Sequence, residues 1–156
     1  MTDAHNSIAT MGQLITLLQL EPRGVDQFQG ASEDIGTGRV FGGQVLGQAL
    51  VAACRTATSP IHSLHAYFLL PGDHHQPIDY LVERVRDGRS FVTRRVVAQQ
   101  KGRTIFTMMA SFHAPEAGSF SHQHGMPPAP PPEGLRNETT LRQAQAHQLP
   151  SGWRGE

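Results

Sequence analysis

Apolar positions along the first sixty residues follow a helical period twice. Between Met11 and Leu20, Leu14, Leu17 and Leu18 fall three or four apart with Ile15 and Leu20 beside them, which predicts a short amphipathic helix ended by Pro22 and Gly24. Phe28 sits in a brief strand-like stretch. Gly30, Gly36, Gly38, Gly42 and Gly43 then mark an irregular loop that carries Glu33 and Asp34. From Gln44 to Arg55 the residues Val45, Leu46, Ala49, Leu50, Val51, Ala52, Ala53 and Cys54 cover nearly every face of a helix, so this helix is expected to be enclosed by other elements. Its polar members, Gln44 and Gln48, lie one turn apart with Gly47 beside them, a face expected to look outward or toward a ligand.

After Pro60 the pattern shortens to strands. Ile61 to Leu69, Ile78 to Arg86, Ser90 to Gln100 and Arg103 to His113 are each rich in β-branched or aromatic residues, which predicts an antiparallel sheet. Asp87-Gly88 and Lys101-Gly102 separate the last three strands, with glycine supplying the positive φ of a tight hairpin. The loop Pro71-Gly72 to Pro77 is longer, and the pairing of the first two strands stays open. Six of the 11 prolines fall between Pro115 and Pro132, and Pro127 to Pro132 reads as an extended spacer. The domain boundary is therefore placed near Ala114, giving a folded domain over 1–114 and a Pro-rich linker and tail over 115–156.

Composition narrows the function classes. Thirteen Lys and Arg balance thirteen Asp and Glu, so no global field favours a nucleic acid. The single cysteine, Cys54, rules out an intramolecular disulfide and a four-thiolate zinc site and fits a reducing compartment. The N-terminus has no basic and apolar leader pattern, and no run approaches the ~18 apolar residues of a membrane span, so a cytoplasmic protein without membrane association is expected.

Several constellations carry candidate chemistry. Gly36-Thr37-Gly38 with Gly42-Gly43 resembles a dinucleotide loop only in part, since the third glycine is misplaced and no phosphate-binding Lys follows. Gly42 and Gly43 either pack as a close turn or open the helix, whose free N–H groups and positive end would hold a carbonyl oxygen gaining charge. Nine histidines invite a metal, but His62 and His65 should point to opposite faces of their strand, and His74-His75 and the tail pair lack further ligands, so no metal is expected. His62 alternates with Leu64, Ala66 and Phe68, which puts its imidazole on the apolar face near the helix, as a core histidine or an acid-base group. No Gly-x-Ser-x-Gly elbow occurs, and Cys54 is expected deep in the helix as an inert thiol. Seven of the 13 basic residues, Arg94 among them, fall between Arg84 and Arg103, a solvated face or a cradle for a phosphorylated ligand.

FGGQVLGQAL opening the helix, then HSLHAYFLLPGD, then VERVRDGRSFVTRRVVAQQKGRTIFTMMASF and a Pro-rich run closely resemble the acyl-CoA thioesterase II family in order and spacing. The resemblance covers roughly Met11 to Pro150. It implies an α+β hotdog fold, an antiparallel sheet wrapped around a long central helix, and here half of a double hotdog. Family members have two fused hotdog repeats, and an aspartate, a threonine or serine and a glutamine of the second repeat hold the attacking water. This sequence resembles the first repeat and the linker alone, so those three positions have no counterpart and the resemblance implies a truncated half. Leu70 stands where many members carry Arg before the Pro-Gly-Asp turn, which removes one phosphate contact. The resemblance assigns Gly42, Gly43, Gln44 and Asp73 to the substrate pocket, with Arg94 toward the nucleotide, and leaves His62 as the one catalytic candidate.

The implied activity is hydrolysis of fatty acyl-CoA to fatty acid and CoA, with acyl-CoA as substrate, no cofactor, and either a homo-oligomer or a second hotdog repeat as partner. The alternative is a noncatalytic half-module that binds acyl-CoA or pairs through an exposed sheet edge. A hotdog hydratase is a distant third, because it needs an Asp-His pair that the Gln44 to Arg55 helix lacks.

Overall fold

A computed structural model describes residues 11–145. Helix α1 (Met11–Leu17) precedes strands β1 (Glu21–Gly24) and β2 (Gln27–Gly30), and helix α2 (Gly42–Cys54) precedes β3 (Ile61–Phe68), β4 (Ile78–Asp87), β5 (Phe91–Gln100) and β6 (Arg103–His113). Contacts divide the chain into two units, Met1–Ala117 and Gly118–Glu156. The described part of the second unit holds a single-turn 3-10 helix at Pro132–Gly134 and helix α3 (Glu138–Gln145), with no buried residue in either. Among the described residues no helix is long and apolar enough to cross a membrane.

The six strands form one antiparallel sheet in the order β1-β2-β4-β5-β6-β3. Alternation decides its faces. Ile78, Tyr80 and Val82 on β4, Val96 and Ala98 on β5, and Phe106, Met108, Ala110 and Phe112 on β6 are buried together with Val45, Ala49, Ala52 and Ala53 of α2. The three alanines are small enough for the helix backbone to come close to the sheet. This is the antiparallel sheet with a packed helix that the residue pattern predicts, and the hotdog arrangement that the resemblance implies.

Local chemistry explains where the elements depart from expectation. Strand β1 was not predicted, because Pro22 and Gly24 read as breakers; Pro22 is tolerated since β1 is an edge strand. Lys101 and Gly102 both hold positive φ (51° and 73°), as the two-residue β5–β6 turn requires. The β4–β5 connection is longer, and Gly88 does not have positive φ there; a Cβ on it would sit 2.7 Å from the Phe91 carbonyl oxygen, whose hydrogen bond from Gly88 N closes the loop at 3.0 Å. Strand β3 pairs with β6 alone, so it is not a hairpin partner of β4.

Helix α2 is covered on one side instead of all round. Gln44, Val45, Gln48, Ala49, Ala52 and Ala53 face inward, Leu46 and Leu50 are half-buried, and Gly43 and Cys54 are exposed. Two expectations are thereby corrected. Cys54 lies at the exposed last turn instead of deep inside, and its thiol is pushed up by partial desolvation. Gln44 and Gln48 look into the protein instead of outward.

Candidate functional site

The start of α2 is built without a side-chain cap. Phe41 precedes it in extended conformation (φ −66°, ψ 129°), and its carbonyl receives Gln44 N (3.0 Å) and Val45 N (3.4 Å). Among the described residues the Gly42 and Gly43 N–H groups have no partner. Gly42 lines a groove of about 360 Å³ whose walls include Arg39, Val45, Phe68, Leu70 and Phe106, whereas Gly43 is exposed beside the Phe41 ring. A Cβ on Gly42 would lie 3.0 Å from the Phe68 ring, so backbone and aromatic wall nearly touch at the groove mouth. A second hollow of about 380 Å³ shares Leu70, Pro71 and Ile105 with the first and is otherwise polar, with Asp73, Gln100, Lys101 and Arg103.

Gln44 lies at this helix start but its amide is spent internally. Nε2 donates to Ala31 O (2.8 Å) and Oε1 accepts from Glu33 N (3.3 Å). One turn later Gln48 donates to Leu17 O (2.6 Å) and Ala31 O (2.9 Å) and accepts from the Tyr80 hydroxyl (2.7 Å), whose phenol is pushed well up by burial. These two amides tie the 31–33 segment and the end of α1 to the helix, which is why the polar face turned inward. Gly30 lies against them, where a Cβ would come within 2.7 Å of the Gln48 amide.

The glycine loop before α2 is closed around a carboxylate of its own. Asp34 Oδ1 accepts from Gly36 N (2.9 Å), Thr37 N (2.9 Å) and Gly38 N (3.0 Å), with Gly36 and Gly38 in the left-handed region. Desolvation opposes ionisation of Asp34, but those three N–H groups hold its pKa below the usual carboxylate value. Donors that would cradle a phosphate are occupied, and the loop is structural.

Asp73 stands in the β3–β4 loop at the second hollow. Its Oδ1 accepts from His75 N (2.9 Å), the main reason its carboxyl stays below the ordinary range, and Oδ2 lies 3.7 Å from Lys101 Nζ. The loop is gripped by Gln100: Oε1 accepts from Asp73 N (2.8 Å), and Nε2 donates to Asp73 O and Gln76 O (both 2.8 Å). Gln100 was not singled out in the sequence, although it shares parity with Val96 and Ala98 on the covered face of β5.

Two expected site residues lie elsewhere. Arg94 is 1% exposed: Nε and Nη2 donate to Thr56 Oγ1 (2.9 Å) and O (2.8 Å), Nη1 to Arg86 O (3.0 Å), and Nη2 pairs with Asp87. It pins the segment after α2 to the sheet and has no donor facing the cleft; its parity with Val92, Val96 and Ala98 is the signal for this. His62 is displaced by a β-bulge between Ile61 and Ser63, which breaks the alternation with Leu64. Its ring bonds Ser111 Oγ (2.9 Å) and packs edge-on to Phe91 and His113, on the sheet face away from α2. Phe68, the ring beside Gly42, is six residues further along β3, about 20 Å at the usual strand rise. The structure thus places Gly42 in the first hollow and Asp73 in the second, which share a wall, leaves Gly43 exposed at the helix start, turns Gln44 inward behind it, and puts His62 and Arg94 elsewhere. Among the described residues no group of three or more His, Cys, Asp or Glu could hold a metal ion.

Comparison with known proteins bears on this geometry. A family model described as acyl-CoA thioesterase N-terminal domain matches residues 31–113. Acyl-coenzyme A thioesterase 8 of Homo sapiens is 45% identical over 128 residues, 81% of this chain and 40% of that protein. Acyl-CoA thioesterase 2 of Haemophilus influenzae is 46% identical over 142 residues, 90% of this chain and 49% of that one. Among solved structures, acyl-CoA thioesterase II TesB2 from Mycobacterium marinum superposes with a TM-score of 0.68 at 49% identity, over 76% of this chain and 44% of that one. The tesB protein of Mycobacterium avium subs paratuberculosis gives 0.74 at 38% identity, over 85% and 52%. The chain spans about half the length of the curated relatives it matches, or slightly less.

Proposed function

The chain belongs to the acyl-CoA thioesterase family as an N-terminal hotdog domain, and from that premise we propose that it supplies one half of a composite site for hydrolysis of fatty acyl-CoA. The observation that carries this is the free amide of Gly42, followed by that of Gly43, at the start of α2 beside an apolar groove that Gly42 lines and whose rim, Phe68, belongs to the edge strand β3. The acyl chain lies in the groove against Val45 and Phe106. The thioester carbonyl oxygen accepts from the two amides, at the positive end of a 13-residue helix. Water adds to the carbonyl carbon, negative charge gathers on the oxygen facing the amides, and the C–S bond then breaks. The products are a carboxylic acid and the free thiol, which takes the remaining proton of the water.

The groove lining contains no carboxylate and no histidine, so water activation is assigned to a second hotdog unit docked along β3. That partner is either a second copy of this chain or a second repeat. The folded unit over 1–114 is the working half, and 115–156 is the connecting segment. Substrate turnover needs no cofactor, the acyl-CoA substrate puts the reaction in lipid metabolism, and the lone cysteine, which leaves no intramolecular disulfide, supports a reducing, cytoplasmic location.

The same absence of a carboxylate or histidine in the groove favours one second reading, a half-module that binds acyl-CoA without turnover. Thiol release from decanoyl-CoA, followed with a thiol reagent across a range of protein concentration, separates the two. Under the proposal the rate per chain rises with the associated fraction measured by sedimentation. Binding of a non-hydrolysable decanoyl-CoA thioether without thiol release at any degree of association selects the half-module. Binding by no species overturns both.

A further inference from the structure

The cleft around Leu70 is divided by chemistry. The first hollow is apolar apart from Arg39 at its edge, whereas the second carries Arg103, Lys101 and the polar Gln76 and Gln100. Elsewhere in the sheet unit Arg23 pairs with Glu21 (2.8 Å), Arg84 with Asp26 (2.7 Å), Arg95 with Glu83 (3.3 Å) and Arg94 with Asp87, and Arg55 donates to Leu20 O (2.6 Å), while Arg86 and Arg89 carry no ion pair among the described residues but lie outside the cleft. Arg39 and Arg103 have no side-chain partner among the described residues, and they are the two arginines that line the cleft. Lys101 is loosely held, 3.7 Å from Asp73 Oδ2. Gln100 holds the Asp73 backbone through two hydrogen bonds and the Gln76 carbonyl through a third, and the one carboxylate of the hollow lies beside Lys101, which leaves the Arg103 guanidinium without a counter-charge. Overall charge balances at 13 against 13, so this excess is local.

We propose that Arg103, assisted by Lys101 and by Arg39 across the shared wall, is a specificity determinant for the phosphate groups of the thiol carrier. The acyl chain fills the apolar hollow, and the anionic part of the carrier lies in the second. Guanidinium groups free of carboxylates, on a surface continuous with the acyl groove, are suited to bidentate phosphate contacts. This assignment rests on the proposed thioesterase function and refines the same site. It replaces Arg94, whose donors are all used inside the fold.

Two non-hydrolysable probes test it by calorimetry: decanoyl-CoA thioether, and decanoyl-pantetheine thioether, which has the same acyl chain and no phosphate. The wild-type chain binds the first more tightly, and the preference shrinks as NaCl rises from about 0.05 to about 0.5 M. Arg103→Gln weakens binding of the CoA probe about tenfold and leaves the pantetheine probe unchanged, since one charge-assisted contact is worth about a factor of ten or more. Arg39→Gln acts in the same direction, and Arg103→Lys recovers part of the loss. Unchanged pantetheine binding also certifies that the variant is folded. An equal loss for both probes, or no loss for either, overturns the assignment. Wild-type binding of both probes with equal affinity overturns it and leaves the proposed function standing. Binding of neither overturns both.

Discussion

At Gly42 the question is how much room the helix start has. A methyl there would lie 3.0 Å from Phe68 Cε1, but that ring is 58% exposed and can move aside, so the fold should tolerate Gly42→Ala with little change in melting temperature. The methyl would still sit at the groove mouth beside the amide to which the proposed function assigns the carbonyl oxygen. Thiol release by the assembled enzyme is therefore expected to fall about 100-fold, the scale for losing one oxyanion donor. An unchanged rate would remove the amides from the reaction. Asp26 offers a test of charge at a turn. It holds φ 55° and accepts Arg84 Nε (2.7 Å) and Nη2 (2.9 Å), and the Arg84 hydrogen bond keeps its carboxyl below the ordinary value. A depressed folded pKa gives stability that is complete above the unfolded value near 3.9 and is lost as pH falls through the folded value. Urea unfolding of wild type and Asp26→Asn should therefore differ at pH 7 and converge toward about pH 2, because asparagine keeps the left-handed turn and removes the charge. A gap that is constant with pH would mean that the ion pair contributes nothing.

Strands β4 to β6 and helix α2 were legible because their apolar residues keep an unbroken period between clear turn residues. What escaped reading depended on contacts that no local period encodes. Gln44 and Gln48 turn inward because the Ala31 carbonyl needs donors, an acceptor 13 and 17 residues away in sequence. His62 moved to the outer face through one extra residue, since a bulge inverts parity for every position before it. Arg94 was readable and misassigned: its position among Val92, Val96 and Ala98 marks the covered face, but the arginine-rich hairpin suggested solvent. The element-scale consequence is a clamp. Arg94 joins the Thr56 carbonyl after α2 to the Arg86 carbonyl and Asp87 of β4, so Arg94→Met strands buried acceptors and should destabilise the domain by about 3 kcal/mol. Arg94→Lys is expected to recover little, because an ammonium cannot reach Thr56 Oγ1, Thr56 O, Arg86 O and Asp87 together. Denaturant midpoints of the two variants check this, and a stable lysine variant would show that charge alone suffices.

The two edges of the sheet are treated differently. Strand β1 has four residues, a proline and a bulge, features that discourage pairing with another chain. Strand β3 has eight residues, no proline, and exposed Leu64, Tyr67 and Phe68, so it offers a free ladder and apolar side chains at the same rim. Leu64 lies opposite Ala110, and Phe68 opposite Phe106, on the α2 side of the sheet, so whatever covers β3 also covers the groove mouth. Under the proposed function, site completion and edge protection are one event, which reconciles a groove without acid or base with a hydrolase. Leu64→Lys places a charge on the inner side of this edge, where burial against a second hotdog unit would cost several kcal/mol, while the free domain keeps the ammonium in water because Leu64 is already 37% exposed. The expected outcome is a chain with wild-type circular dichroism that sediments as a monomer at all concentrations and releases no thiol from decanoyl-CoA. A Leu64→Lys chain that still associates and hydrolyses would move the docking surface away from β3 and separate the groove from its proposed partner.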